Sequence, residues 1–210
     1  MPRLDPFYPI VPDCDWLARL LPQGIRLVQL RIKDQSPDVI RSEIGRAIEL
    51  CAAHDCQLVV NDYWREAIEA GADFVHLGQG DLVGADLDAI KSAGVRIGIS
   101  THSPKELDVA LAAAPDYVAL GPVYPTLLKK MPWAPQGLER VAEWRKQVPC
   151  ALVAIGGITP ERAPGVLEAG ADSVAVITDF MTHQHPELRT GTWVAVTKPW
   201  RHLSTDCPHA

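Results

Sequence analysis

The chain is poor in several features that would place it quickly. No apolar run is long enough to span a bilayer, and Met1-Pro2-Arg3-Leu4-Asp5-Pro6 lacks the apolar core of a signal peptide, so a cytoplasmic protein is expected. There is no basic block. Its 20 Lys and Arg stand against 26 Asp and Glu, and the net charge of -6 argues against a nucleic-acid surface, which needs clustered excess cations. The five cysteines, Cys14, Cys51, Cys56, Cys150 and Cys207, are odd in number and lack C-x-x-C spacing. Buried thiols are expected, rather than disulfides or structural zinc. No G-x-G-x-x-G follows a strand-like run, which weakens the case for a dinucleotide fold. No Ser-His-Asp or Cys-His set stands out either.

What the chain does have is a repeated switch between short β-branched runs and longer helical ones. At 210 residues and 47% apolar content there is material for one large core. The spacing predicts eight strands, at Phe7–Val11, Ile25–Arg31, Gln57–Asn61, Phe74–Gly78, Val95–Ser100, Tyr117–Gly121, Ala151–Gly156 and Ser173–Thr178. Helical periodicity lies between them, as in Ser36–His54 and Pro104–Ala114, and Ser36-Pro37, Ser103-Pro104 and Thr159-Pro160 resemble helix starts. A weak repeat, Gly71-Ala72-Asp73, Ala114-Pro115-Asp116 and Gly170-Ala171-Asp172, would end a helix and begin a strand.

Eight such units in residues 1–180 predict a single (β/α)8 barrel, with a doubly wound open sheet as the competitor. Residues 181–210 break the pattern. Pro186, Gly191 and Pro199 stand where a closing helix belongs, so this segment is expected to be atypical and irregular from Gly191 onward.

In a barrel the site forms at the C-terminal strand ends. Gln29-Leu30-Arg31-Ile32-Lys33 alternates, so Gln29, Arg31 and Lys33 share one face, which needs either water or an anion. Asp62 and Asp81 follow successive strands and could converge on Mg²⁺, with the cations on the same phosphate; the alternative is that each merely caps a helix. Gly156-Gly157 and the turn after Ile177 can offer backbone N–H groups to a second phosphate, although a tight turn explains two glycines equally well. His76, in an apolar run, reads as a core histidine; His102 faces the mouth; His183 and His185 read as polar loop.

Read together, Gln29-Leu30-Arg31-Ile32-Lys33, Asn61-Asp62, His76-Leu77-Gly78-Gln79-Gly80-Asp81, Gly98-Ile99-Ser100-Thr101-His102, Gly121-Pro122-Val123-Tyr124-Pro125-Thr126 with Lys129, and Ala154-Ile155-Gly156-Gly157-Ile158 resemble the thiamine-phosphate synthase family. They occur in family order across about residues 7–180. Val11 to Trp16 and Met131 to Gly137 are similar to the enterobacterial type.

The resemblance implies a (β/α)8 barrel and a transferase. Its reaction joins 4-amino-5-hydroxymethyl-2-methylpyrimidine diphosphate to a thiazole phosphate, giving thiamine phosphate and diphosphate. It implies that Gln29, Arg31, Lys33 and Asn61, with Leu30 and Ile32 in the same stretch, bind the pyrimidine diphosphate. Asp62 and Asp81 would hold Mg²⁺, and Ser100 would touch the pyrimidine. Thr126, Leu127, Leu128, Lys129, Gly157, Ile177 and Thr178 would hold the thiazole phosphate and the leaving group. Arg31, Lys33, Ser100 and Lys129 are the implied catalytic set. The expected partners are these small molecules, with neither nucleic acid nor membrane, and a homo-oligomer is compatible.

One departure from the family pattern is Leu128, where a Thr is usual. A lost hydrogen bond to a charged group costs roughly 1.5–3 kcal/mol. Two other readings remain: a related thiazole tautomerase, which resembles enzymes with a His where Pro122 stands here, and a barrel that binds phosphate ligands without turnover.

Overall fold

Eight short parallel strands, hydrogen-bonded in chain order, close into a barrel in a computed structural model that describes residues 4–125 and 133–202. The strands are β1 (Phe7–Val11), β2 (Leu27–Leu30), β3 (Gln57–Asn61), β4 (Phe74–Leu77), β5 (Arg96–Thr101), β6 (Tyr117–Leu120), β7 (Ala151–Ile155) and β8 (Ser173–Val176). Around them run α1 (Cys14–Leu20), α2 (Pro37–Ala52), α3 (Trp64–Ala70), α4 (Gln79–Gly84), α5 (Leu87–Ser92), α6 (Pro104–Ala112), α7 (Gly137–Gln147), α8 (Ala163–Glu168), α9 (Thr178–Met181) and α10 (Pro186–His202). Pairing of Phe7, Tyr8 and Pro9 with Val174, Ala175 and Val176 seals the cylinder. The barrel expected from the strand count is therefore present, and the open sheet is excluded.

Alternation along each strand sorts the core into two layers. Tyr8, Ile10, Leu27, Val59, Phe74, Tyr117, Ala119, Val153 and Ala175 pack inside the barrel. Their neighbours Phe7, Val11, Val28, Leu30, Val60, Val75, Leu77, Val118 and Leu120 pack against the helices. The repeated Asp before a strand has a local cause. Asp116 accepts the Ile97 N–H and Asp172 the Leu152 N–H, both at 2.8 Å, so each pairs a donor at the start of the preceding strand.

Three boundary expectations are corrected. Strands β1 and β3 have the predicted bounds, β5 is shifted by one residue, and the other five are shorter than predicted: β2, for example, begins at Leu27 and ends at Leu30, although the Arg31 N–H still bonds the Val11 carbonyl at 2.8 Å. Thr159-Pro160 does not open a helix directly. The Thr159 carbonyl accepts from the N–H groups of Arg162 and Ala163 at 3.0 and 2.9 Å, making a turn before α8 starts at Ala163. The largest correction is α10, a 17-residue helix where an irregular segment was expected.

Packing overrides the breakers in α10. Thr190, Trp193 and Thr197 form a fully buried stripe at helical spacing. The threonine hydroxyls bond the carbonyls of Pro186 and Trp193, at 2.9 and 2.8 Å, so polar residues are buried without an orphaned group. Trp193 stacks on Phe7 of β1 with ring centroids 5.1 Å apart. Cys14, Cys51, Cys56 and Cys150 are free and buried, as expected, and Cys207 lies outside the described residues. Among the described residues no helix is long and apolar enough to cross a membrane.

Candidate functional site

A cavity of about 690 Å³ opens at the C-terminal ends of the strands and takes lining residues from all eight. On β2 and its extension, Gln29, Arg31 and Lys33 line it. Leu30, on the opposite face, is buried in the helix-facing layer, and Ile32 borders a second cavity of about 490 Å³ that Arg31 and Lys33 share. The period of two thus divides the stretch: three polar side chains face the main cavity and the two apolar ones turn away.

Asn61 ends β3, lines the cavity and is buried. Asp62 follows it with φ of 66°, its N–H bonded to the His76 carbonyl at 2.8 Å. Neither acid is a helix cap: Tyr63 precedes α3, and Asp81 sits within α4. Asp62 and Asp81 line the same cavity, close enough for the Asp81 carboxylate to act on the Asp62 carboxyl. Burial and the Asp81 carboxylate push the Asp62 carboxyl up to about 6, against the opposing pull of Arg31 and an Asn61 hydrogen bond. Two crowded acids that Arg31 offsets only partly are a donor set a hard cation fits. Among the described residues no third His, Cys, Asp or Glu joins them, so further ligands would come from water or a phosphate.

Beneath the cavity runs a polar chain that sequence reasoning missed. Gln29 Nε2 donates to Tyr8 Oη (3.0 Å), which meets Tyr117 Oη (3.0 Å); that hydroxyl meets His76 Nδ1 (2.7 Å), and His76 Nε2 meets Ser100 Oγ (2.7 Å). Burial holds both phenols above their ordinary range and pushes His76 down to about 4, so all three stay neutral near pH 7. One proton order satisfies every link: Tyr8 donating to Tyr117, Tyr117 to His76, and His76 Nε2–H to Ser100; in that order the Ser100 hydroxyl proton is left for a ligand.

Tyr117→Phe removes two links and orphans His76 Nδ1. The expected result is about 1–3 kcal/mol lost in thermal unfolding and a mixed tautomer signal for His76 by ¹⁵N NMR. A pure Nε2–H signal in the variant would show that the chain does not set the tautomer.

Across the cavity, Gly156 and Gly157 turn the chain with φ of 100° and 63°. A Cβ on Gly157 would stand 2.4 Å from the Pro125 carbonyl oxygen, so only glycine fits there. Ile177, Thr178 and Asp179 line the same wall after β8. Arg162 also lines it, its guanidinium 4.6 Å over the Tyr124 ring and donating to the Gly157 carbonyl at 2.6 Å. Sequence reasoning passed over Arg162, which lies in no strand-end motif, and Asp179, whose partners stand in the segment expected to be irregular. Thr126, Leu127, Leu128 and Lys129 lie outside the described residues.

His102 lines the mouth, where Glu106 holds its Nδ1 at 2.9 Å and the Trp133 ring stacks on it at 5.6 Å. His183 and His185 bond each other's segment, with the His185 N–H on His183 Nδ1 at 3.0 Å.

Residues 7–180 match the family model described as thiamine monophosphate synthase. A thiamine-phosphate synthase of Rhizobium etli is 64% identical over 200 residues, 95% of this chain and 98% of that protein. One from Cronobacter sakazakii is 50% identical over 186 residues, 88% of each chain. The solved structure of a thiamine phosphate pyrophosphorylase from Pyrococcus furiosus superposes with a TM-score of 0.82 at 26% identity, covering 93% of this chain and 96% of the other.

Proposed function

The chain belongs to the thiamine monophosphate synthase family, and from that premise we propose how its cavity makes thiamine phosphate from the pyrimidine diphosphate and the thiazole phosphate. The observation that carries the reading is the division of one cavity into a cationic side beside two acids and a glycine-turn side.

Gln29, Arg31, Lys33 and Asn61 bind the pyrimidine diphosphate, Arg31 and Lys33 matching its charge. Asp62 and Asp81 would hold Mg²⁺, which would neutralise charge gathering on the diphosphate. The bond between the pyrimidine methylene carbon and the diphosphate oxygen breaks, and its electron pair leaves with the diphosphate. The electron-rich aminopyrimidine supports the resulting cation, and the thiazole nitrogen lone pair forms the new carbon–nitrogen bond.

No protein base is required, so the chain contributes charge, alignment and exclusion of water. The neutral His76 agrees with that. Ser100, its proton free, donates to the pyrimidine. Gly157, Ile177 and Thr178, together with Thr126, Leu127, Leu128 and Lys129, which lie outside the described residues, hold the thiazole phosphate. A soluble transferase acting on two small molecules is the resulting reading.

Incubation of the protein with both substrates, with Mg²⁺ and with a chelator, tests it. Thiamine phosphate should form with the metal and fall to background without it. Tight pyrimidine diphosphate binding with no product would replace the enzyme by a binding barrel.

A further inference from the structure

Asp179 is out of place in a wall that receives a phosphate, since a carboxylate beside Ile177 and Thr178 repels a second anion. The structure holds that carboxylate from behind. Arg189 of α10 forks onto it, Nε to Oδ2 and Nη2 to Oδ1, both at 2.8 Å. The indole Nε1–H of Trp193 adds a third bond to Oδ2 at 2.7 Å. The side chains of Asp179 and Arg189 are only 13% and 19% exposed, so solvent does little of this neutralising. The other charged group on Arg189 is Glu161, 3.4 Å away and largely exposed.

Trp193 cannot swing away, because it is fully buried and stacked on Phe7. A bidentate pair plus an indole bond therefore fixes the carboxylate on α10 and sets a guanidinium charge against it.

We propose that Arg189 and Trp193 are positioning residues for the phosphate-bearing co-substrate. They neutralise Asp179 and hold it against α10, so that the wall after β8 presents Ile177 and Thr178 to the phosphate rather than a free carboxylate. The inference rests on the reading of Gly157, Ile177 and Thr178 as the thiazole phosphate side. It gives α10 a part in the reaction although none of its residues lines the cavity.

The test compares steady-state kinetics of the full chain with R189Q, D179N, W193F and the double variant R189Q/D179N, varying each substrate at saturating levels of the other. R189Q should raise the KM for thiazole phosphate at least tenfold and leave the KM for pyrimidine diphosphate within twofold. D179N should move the thiazole phosphate KM the opposite way or leave it unchanged, because it removes the repulsion. W193F, which keeps the ring and loses the N–H, should raise that KM a few-fold. R189Q/D179N should recover most of what R189Q loses.

A merely structural clamp predicts that both single variants lose affinity, that both KM values rise, and that the double variant is no better. That pattern, or an R189Q indistinguishable from wild type, overturns the inference while wild-type turnover leaves the functional reading standing. If R189Q is too unstable to assay, D179N and the double variant still decide the sign. Wild-type protein that makes no thiamine phosphate overturns the reading and the inference together.

Discussion

Asp62→Asn is expected to lower the rate of thiamine phosphate formation by roughly 10²–10³-fold, the scale of losing one fixed stabiliser of developing charge, while making the metal-free protein more stable. The two effects have one source. The Asp62 carboxyl is half-buried beside Asp81, and burial with that neighbour raises it from 3.8 to about 6. A carboxyl raised on folding binds its proton more tightly in the folded state. Its stability contribution is present below pH 4 and lost as pH rises through about 6.

Above that value the charged pair works against the fold, and the neutral amide relieves it. Melting curves should therefore show the variant above wild type at pH 7, with the gap closing toward pH 4. Asparagine is the apt replacement because φ is 66° at this position, a conformation Asn adopts at less cost than alanine. Mg²⁺ should raise the wild-type melting temperature and have less effect on the variant. An unchanged rate would remove Asp62 from the site; a variant less stable at pH 7 would mean the acids are not in conflict.

That pair was legible in the sequence because its logic is topological: residues after successive parallel strands of a barrel share one rim. The face of Gln29, Arg31 and Lys33 was legible for a similar reason, since a period of two needs no knowledge of partners. Tyr8 and Tyr117 were not. Each sits in an apolar run, and what joins them to the polar chain is a hydroxyl contact between residues 109 positions apart. The helix α10 was misread because Pro186, Gly191 and Pro199 count as breakers in a pattern, whereas the buried stripe of Thr190, Trp193 and Thr197, with its hydroxyls turned back onto the helix, holds it in place. Asp179 was passed over with it, since its partners Arg189 and Trp193 belong to that helix.

Gly98 shows how a residue read only as part of a family string acquires a physical reason. In β5 it lies beside Tyr117 of β6, and a Cβ built on it would stand 2.0 Å from the phenol ring carbon that bears the hydroxyl. The ring has nowhere to go. It packs edge-on to Tyr8 and Phe74, stacks on His76 at 5.5 Å, and its hydroxyl is held between Tyr8 and His76.

Gly98→Ala is therefore expected to cost about 3 kcal/mol or more, at the top of the range for overpacking a tight core. At the usual scaling for a chain of this size that lowers the melting temperature by about 6–12 °C. Activity should fall with it, because a displaced Tyr117 releases His76 and with it Ser100. Tyr117→Leu alone loses packing and hydroxyl; combined with Gly98→Ala it also removes the collision. The double variant should then be more stable than the sum of the single losses by about 1 kcal/mol or more, as expected of residues in contact. Strict additivity would show that the strand yields to the methyl group, and that the glycine is not what makes room for the tyrosine beneath the site.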